Sequence, residues 1–141
     1  MTTDEKYKYW IMLSNYDLET IDVLIKGERW VYVAYVCQQA VERQLKGLYV
    51  RYTDKEAPKT HNLNFLFAKI CECAGFSESA KSLEPKILEL EDFLVDIMFY
   101  YMSDYPFSYK NIMNRFIDKN KALELYEKTK LNINLLRGLC E

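Results

Sequence analysis

Glycine and proline are scarce in this sequence, and this scarcity constrains the fold more than any other feature. Four Gly and three Pro are spread over 141 residues, so long stretches contain no residue that readily ends a helix. In these stretches the apolar residues recur three and four positions apart, which is the spacing of one helix face. The sequence therefore predicts long amphipathic helices.

Five helical segments follow from this spacing. Helices are predicted over residues 4–26, 30–52, 63–74, 77–101 and 119–139. The polar segment 54–61 contains Pro58 and is predicted to be a surface loop, after which Thr60 or Asn62 caps the third helix. Amphipathic helices joined by short loops pack against their sequence neighbours. The expected fold is therefore all-α, an up-and-down bundle of four or five helices.

Several helix ends and one helix face are predicted in more detail. Gly27 is expected to end the first helix and Gly75 the third. Pro85 falls early in the fourth segment, so it either occupies a first turn or follows a separate short piece. On the second helix, the polar side opposite the apolar stripe is formed by Gln38, Glu42, Arg43 and Lys46.

The composition predicts a single globular domain over residues 1–141. Half of the residues are hydrophobic and 28% are charged, and the net charge of -2 gives no overall attraction to nucleic acid or anionic membranes. The sequence has no signal peptide and no run of 18 apolar residues, so a cytoplasmic protein with no membrane attachment is expected. The four Cys match no common zinc spacing, and neither a metal nor a cofactor is expected.

Three separated elements carry a family resemblance. They are Asp17-Leu18-Glu19 in the first helix, residues 38–48 (QQAVERQLKGL) in the second, and His61-Asn62-Leu63 after the loop. In order and spacing they resemble the HEPN domain family, named for a nucleotide-binding domain of higher eukaryotes and prokaryotes. The family pattern has Lys where this chain has Arg43, and Ala where it has Gly47.

This resemblance implies a helical bundle that forms homodimers and is often encoded beside a small nucleotidyltransferase as a toxin–antitoxin-like pair. Many members are ribonucleases, through an Arg followed by four to six residues and a His. The histidine here is His61, and the possible Arg positions hold Asp54, Lys55 and Glu56. A second family element, R-Y-P, has Asp104 in place of its Arg. Because none of these positions holds an Arg, the ribonuclease motif is absent. A carboxylate cannot supply the positive fork that holds phosphate, so a protein without enzyme activity is favoured over a ribonuclease.

The second helix and the loop contain the candidate ligand-binding residues. Gln38, Glu42 and Lys46 lie four apart and could bind a polar ligand, or form a self-satisfied ladder between helices. His61 could bind phosphate or act as acid or base, or it could orient the helix start. Asp17 is expected to reach a Lys or His of the second helix or the loop, and Glu19 to point to a different helix face. The predicted ligand-binding set is Gln38, Gln39, Glu42, Arg43, Lys46 and His61.

The segment 99–109 is rich in tyrosine and has two possible uses. Its rings could stack nucleobases while Lys110 and Arg115 contact phosphates, or they could form a dimer or partner interface. Few basic residues lie nearby, and the acidic Asp104 lies within the same segment. The interface is therefore favoured. The predicted interface residues are Tyr100, Tyr101, Tyr105, Phe107 and Tyr109.

Three function hypotheses follow from these features. The first is a binding module that dimerises, associates with a nucleotidyltransferase-type partner and takes a nucleotide or RNA. The second is a metal-independent ribonuclease that uses Arg51, His61 and Arg115. The third is an assembly protein with no small ligand.

Overall fold

The computed structural model describes the backbone of residues 1–102 and 117–139, and the side chains of residues 1–98 and 117–139. Its helices are α1 (Thr3–Lys26), α2 (Trp30–Thr53), α3 (Leu63–Cys71), α4 (Ala74–Ala80), α5 (Glu84–Met102) and α6 (Lys119–Gly138), with a 3-10 turn at Lys81–Leu83. The regular structure within these ranges is helical throughout, and the helices pack as a bundle. The predicted all-α bundle is confirmed.

Side-chain caps fix several of the helix ends. The Thr2 hydroxyl accepts a hydrogen bond from the backbone N–H of Glu5 at the start of α1, and Gly27 ends that helix as predicted. Asn62 caps α3 by accepting from the N–H of Phe65 at 3.0 Å. Of the two predicted capping residues, Asn62 is therefore the one that caps α3. Each cap satisfies a backbone donor that has no partner within the helix.

The predicted boundary between α3 and α4 was wrong. The third helix ends at Cys71, and Gly75 lies inside α4 rather than ending α3. The backbone of Cys73 is extended. The hydroxyl of Ser77 donates to the carbonyl of Cys71 at 2.6 Å, so this carbonyl at the end of α3 has a hydrogen-bond partner without a further helical turn. The early turn buries Phe76 edge-on against other aromatic rings, those of Tyr52 and Phe67. Burial of this ring explains why the chain turns before the glycine.

Pro85 lies in the first turn of α5, and a separate short piece, α4 with the 3-10 turn, precedes it. Both predicted possibilities therefore hold. Proline fits here because the first helical turn leaves backbone N–H groups without helical partners in any case.

Helix α2 is the centre of the bundle, in contact with α1, α3, α5 and α6. Its side chains are buried around most of its circumference, and this corrects one prediction. Gln38, Glu42 and Lys46, which were predicted on the polar side of the helix, are buried, and Arg43 is half-buried. The amphipathic pattern failed because helices pack on several sides of α2, so its polar side also faces protein.

Helix α6 is tied to the first two helices by hydrogen bonds. Arg137 donates to the Gln44 amide oxygen at 2.8 Å and to the Asn15 amide oxygen, while the Tyr126 hydroxyl donates to Asp22 at 2.8 Å. The side chains that this helix buries include Ala122, Leu125, Tyr126, Ile133 and Leu136. None of the described helices is long and apolar enough to cross a membrane.

The cysteines within the described residues, Cys37, Cys71 and Cys73, are free thiols. Cys37 is buried in the core, and burial raises the pKa of its thiol to about 12. Cys71 is half-buried, and burial raises its pKa to about 11. Both thiols therefore stay protonated near neutral pH.

Candidate functional site

The Glu42 carboxylate contacts three other side chains, and we call the four residues the Glu42 cluster: Gln38, Glu42, Lys46 and His61. One carboxylate oxygen lies 2.8 Å from Nδ1 of His61 and accepts from the Gln38 amide at 3.4 Å. The other accepts from the Lys46 ammonium at 3.1 Å. An ionised carboxylate only accepts hydrogen bonds, so Nδ1 of His61 carries the hydrogen. The cluster joins the middle of α2 to the loop that precedes α3.

Burial divides the Glu42 cluster into an inner and an outer part. Only 7% of Glu42 is exposed, and Gln38 and Lys46 are also buried. The side chain of His61 is 64% exposed. Gln38 also donates to the backbone carbonyl of His61 at 3.4 Å, which fixes the chain at the histidine. The inner part is thus a self-satisfied ladder, and only His61 reaches the surface.

A second polar group lies between α1 and α2. Asp17 accepts from the Arg43 guanidinium at 2.9 Å and from the Gln39 amide at 3.3 Å. Its second oxygen, Oδ2, is buried without a hydrogen-bond partner in the described structure. Burial raises the pKa of Asp17 in spite of the opposing charge of Arg43, and the nearby charge of Glu42 raises it further.

The prediction for Asp17 was therefore correct about the helix it reaches and wrong about the residue type. It reaches Arg43 and Gln39 rather than a Lys or His. Glu19 is exposed and points to another face, as predicted.

The loop before His61 is held by the start of α1. The Thr3 hydroxyl donates to Asp54, and Lys6 pairs with Glu56 at 2.9 Å. Asp54 has a left-handed backbone with φ of 56° and ends α2, where its N–H bonds to the carbonyl of Val50. Two of the three positions that could have held the ribonuclease Arg therefore carry carboxylates bonded to α1.

The structure separates Arg51 from the Glu42 cluster. Arg51 pairs with Asp4 at 3.2 Å and lies over the ring of Tyr7 at 5.2 Å. It follows Glu42 by nine residues, which is about two and a half turns and places it on the opposite side of α2. A site combining Arg51 with His61 is therefore not formed within one chain. Arg115 lies outside the described residues.

The six predicted ligand-binding residues form two neighbouring groups, one around Glu42 and one around Asp17. The predicted interface residues Tyr100, Tyr101, Tyr105, Phe107 and Tyr109 have side chains outside the described part. Within that part, no group of three or more His, Cys, Asp or Glu residues could hold a metal ion. Whether the two polar groups bind a ligand remains a prediction.

Sequence reasoning left two residues out of the predicted site. Asp17 is an integral part of the second polar group, and its signal was the D-L-E element together with the Arg on α2. Trp10 lies beside the Glu42 cluster, with its ring centre 5.7 Å from the Lys46 ammonium. No local pattern pointed to Trp10, because its contact depends on how α1 crosses α2.

Comparison with protein families gives one match that covers almost the whole chain. The model of the HEPN domain matches residues 7–139. This chain belongs to the HEPN domain family. The resemblance drawn from the three sequence elements is confirmed, and the HEPN match extends through α6. Comparison with curated proteins and with solved structures found no match.

Proposed function

We propose that this HEPN protein is a homodimeric binding module. In this proposal it associates with a small nucleotidyltransferase in a toxin–antitoxin-like pair. It binds the phosphate of a nucleotide or RNA at the surface around His61. Membership of the HEPN family supports the class of partner. The position of His61 supports the place of the ligand.

The observation that carries the ligand site is the fixing of an exposed imidazole by a buried carboxylate. Glu42 holds Nδ1 of His61 at 2.8 Å, while 64% of the side chain stays exposed. A ring held in one orientation loses less freedom when it binds a ligand. Lys55 and Lys59 are exposed in the same loop. In this proposal they supply positive charge to the bound phosphate. This combination suits a phosphate group.

The same geometry argues against the usual HEPN ribonuclease reaction. Asp54 and Glu56 occupy positions where the catalytic Arg would lie, and both are bonded to α1. Without that guanidinium, negative charge that develops on a phosphate during cleavage is not stabilised in the usual way. The arrangement therefore supports binding of the phosphate more than cleavage of RNA by the usual HEPN reaction.

A thermal-shift screen tests the ligand site. The purified protein is heated with ATP, GTP, ADP, GDP and a short RNA, alongside His61→Ala. A ligand present at about 100 times its Kd should stabilise the native state by about 2.7 kcal/mol. We expect His61→Ala to lose this stabilisation and Lys86→Ala, an exposed lysine on α5, to keep it. No shift with any of these compounds contradicts the ligand site.

Co-expression tests the protein partner independently of the ligand. A nucleotidyltransferase encoded beside this chain should co-purify with it as a complex of defined mass. If the two proteins elute separately in size-exclusion chromatography, the partner assignment is wrong, whatever the thermal-shift screen gives.

One observation favours a second candidate function. An imidazole held by a carboxylate is also the arrangement of a general acid or base. In that case His61 would cleave RNA without a metal, and a preparation free of contaminating nucleases would lose cleavage with His61→Ala. No cleavage by the wild-type protein removes this candidate.

A further inference from the structure

Arg137 is a half-buried cation with which no carboxylate of the described residues pairs. Its Nε donates to the Gln44 amide oxygen at 2.8 Å, and its Nη2 donates to the Asn15 amide oxygen at 2.6 Å. Both partners are neutral, so neither compensates the positive charge. Burial lowers the pKa of the guanidinium, because the charged form loses solvation there. The charge of Arg137 is therefore only partly satisfied by its own chain.

The two amide oxygens hold one edge of the guanidinium and leave its end available. Nε and Nη2 share one edge of this planar group, whereas Nη1 and the second hydrogen of Nη2 form its end. Nη1 makes no hydrogen bond to the described residues. The buried side-chain atoms without a partner there include Nε2 of Gln44 but not Nη1 of Arg137, so Nη1 is open to solvent. The end of the guanidinium thus presents two parallel N–H groups in a fixed orientation.

This orientation leaves one buried donor unpaired. Gln44 is fully buried and its amide oxygen faces Arg137, so its amino group has no acceptor within the described part of the chain. An unpaired buried donor is unfavourable, and in a native protein it calls for an explanation. Fixing the guanidinium for a ligand would explain why Gln44 is kept in this position.

The surroundings of Arg137 carry an excess of positive charge. Tyr7 interacts electrostatically with the Arg137 guanidinium, and Arg51 lies over the ring of Tyr7 at 5.2 Å. Asp4 pairs with both Arg51 and Lys8, so one carboxylate serves two cations. A ligand at Arg137 is therefore expected to be anionic.

We infer that the end of the Arg137 guanidinium binds a carboxylate group of another molecule. Two parallel N–H groups match the two oxygens of a carboxylate, and the single charges are equal and opposite. The same combination exists between α1 and α2, where the half-buried Arg43 donates to the Asp17 carboxylate at 2.9 Å. Phosphate is more often held by several cations or by a helix N-terminus. The two other cations near Arg137 already pair with Asp4.

This site is separate from the surface around His61. Gln44 follows Glu42 by two residues, which is about 200° around α2 and places the two side chains on opposite sides of the helix. The inference does not rest on the proposed ligand site or on the proposed protein partner. A failure of either proposal leaves the carboxylate site unaffected.

A titration followed by NMR tests the site on the wild-type protein. Sodium acetate and sodium chloride are added in separate titrations, and the side-chain Nε–H resonance of Arg137 is assigned by its loss in Arg137→Gln. We expect acetate to shift this resonance in a saturable manner and to leave that of the exposed Arg29 unchanged. No shift, or an equal shift with chloride, contradicts the site.

Asn15→Asp tests the same inference by placing a carboxylate within the chain. Asn15 is exposed on α1, so the change leaves the core intact. The new carboxylate should pair with Arg137, raise the melting temperature, and raise the dissociation constant of acetate by on the order of tenfold or more. In the Arg137→Gln background the same change should bring no stabilisation. Unchanged acetate binding in Asn15→Asp, or equal stabilisation without Arg137, means that the inference is wrong.

Two further probes test the choice of anion and identify its source. A tripeptide with blocked termini and one Glu represents an acidic side chain of a protein. Binding tighter than that of acetate supports this source, whereas equal or weaker binding supports a free small acid. Inorganic phosphate that shifts the Arg137 resonance at a much lower concentration than acetate contradicts the carboxylate assignment.

Discussion

Glu42 shows how a buried charge is kept in this protein at the scale of single residues. Its carboxylate receives hydrogen bonds from an ammonium, an imidazole and an amide. A buried charge without such partners is strongly unfavourable, because it loses the solvation that water provides. Removing any one partner should therefore cost more than the same change at the surface.

Lys46→Ala tests the cost of breaking this buried ion pair. Both side chains are largely buried, so we expect the free energy of unfolding to fall by about 3 kcal/mol. Urea unfolding monitored by circular dichroism measures the change. The double variant Glu42→Gln, Lys46→Met removes both charges and should recover part of the loss.

The pair Glu124–Lys128 on α6 gives the matched control. It has the same spacing of four residues and a distance of 2.9 Å, but both of its side chains are about half exposed. Lys128→Ala should cost less than about 1 kcal/mol, because water screens exposed pairs. Equal losses for the buried and the exposed lysine would contradict this account of Glu42.

Asp17→Asn tests the second buried carboxylate through its pH dependence. The pKa of Asp17 is raised above 3.8 in the folded protein by burial, so the folded state holds its proton more tightly than the unfolded chain. Ionisation of Asp17 above pH 3.8 therefore lowers the stability of the wild type relative to Asp17→Asn. We expect the free energy of unfolding of Asp17→Asn, relative to that of the wild type, to increase from pH 3 to pH 7 when both are unfolded in urea.

An exposed carboxylate provides the comparison for Asp17. Glu89→Gln on α5 should show a smaller dependence of the stability difference on pH. If the free energy of unfolding of Asp17→Asn relative to the wild type stays constant or decreases as pH rises, then the ion pair with Arg43 stabilises the ionised carboxylate more than burial destabilises it.

At the scale of helices, Gly47 sets how closely α1 approaches α2. A β-carbon added at this position would lie 3.2 Å from Cβ of Trp10 and 3.4 Å from Ile11. Because Cβ of Trp10 is fixed to the backbone of α1, the helix itself would have to move. We expect Gly47→Ala to destabilise by about 1 kcal/mol, since overpacking costs more than the gain in helix propensity.

Gly138→Ala is the control for this change. Apart from its own helix backbone and chain neighbours, no atom of the described residues lies within 4 Å of the β-carbon it would add, so it should be neutral or slightly stabilising. Urea midpoints of the two variants provide the comparison. A Gly47→Ala protein as stable as Gly138→Ala would mean that α1 adjusts without cost.

Helix positions were predictable where capping and spacing act locally, and less so where contacts are distant. Gly27 and Asn62 mark helix ends through their own chemistry, so the sequence was sufficient there. The end of α3 depends on Phe76 packing against Tyr52, a contact that no local pattern contains. The same holds for the candidate site. The ladder from Gln38 to Lys46 could be predicted because its residues lie four positions apart in the sequence. Its burial depends on the helices and the loop that pack around α2.

At the scale of the whole molecule, the central position of α2 predicts an order of local stability. This helix contributes more buried residues than any other described helix, whereas α4 buries only Phe76. Amides in well-packed central elements exchange most slowly with solvent. Hydrogen exchange read by mass spectrometry should find the middle of α2 the most protected, and α4 with the following 3-10 turn the least. Equal protection of the two would contradict this order.

The contact between Trp10 and Lys46 also makes the intrinsic tryptophan fluorescence a probe of the Glu42 cluster. The chain has two Trp residues, and replacing Trp30 by Phe would leave the Trp10 indole as the dominant fluorophore for 295 nm excitation. Because the Lys46 ammonium lies 5.7 Å from the centre of that ring, any event that shifts Glu42 or Lys46 changes the electric field at the indole. The emission of Trp10 would then show, without an added label, whether ligand binding at His61 shifts the buried side chains of Glu42 and Lys46.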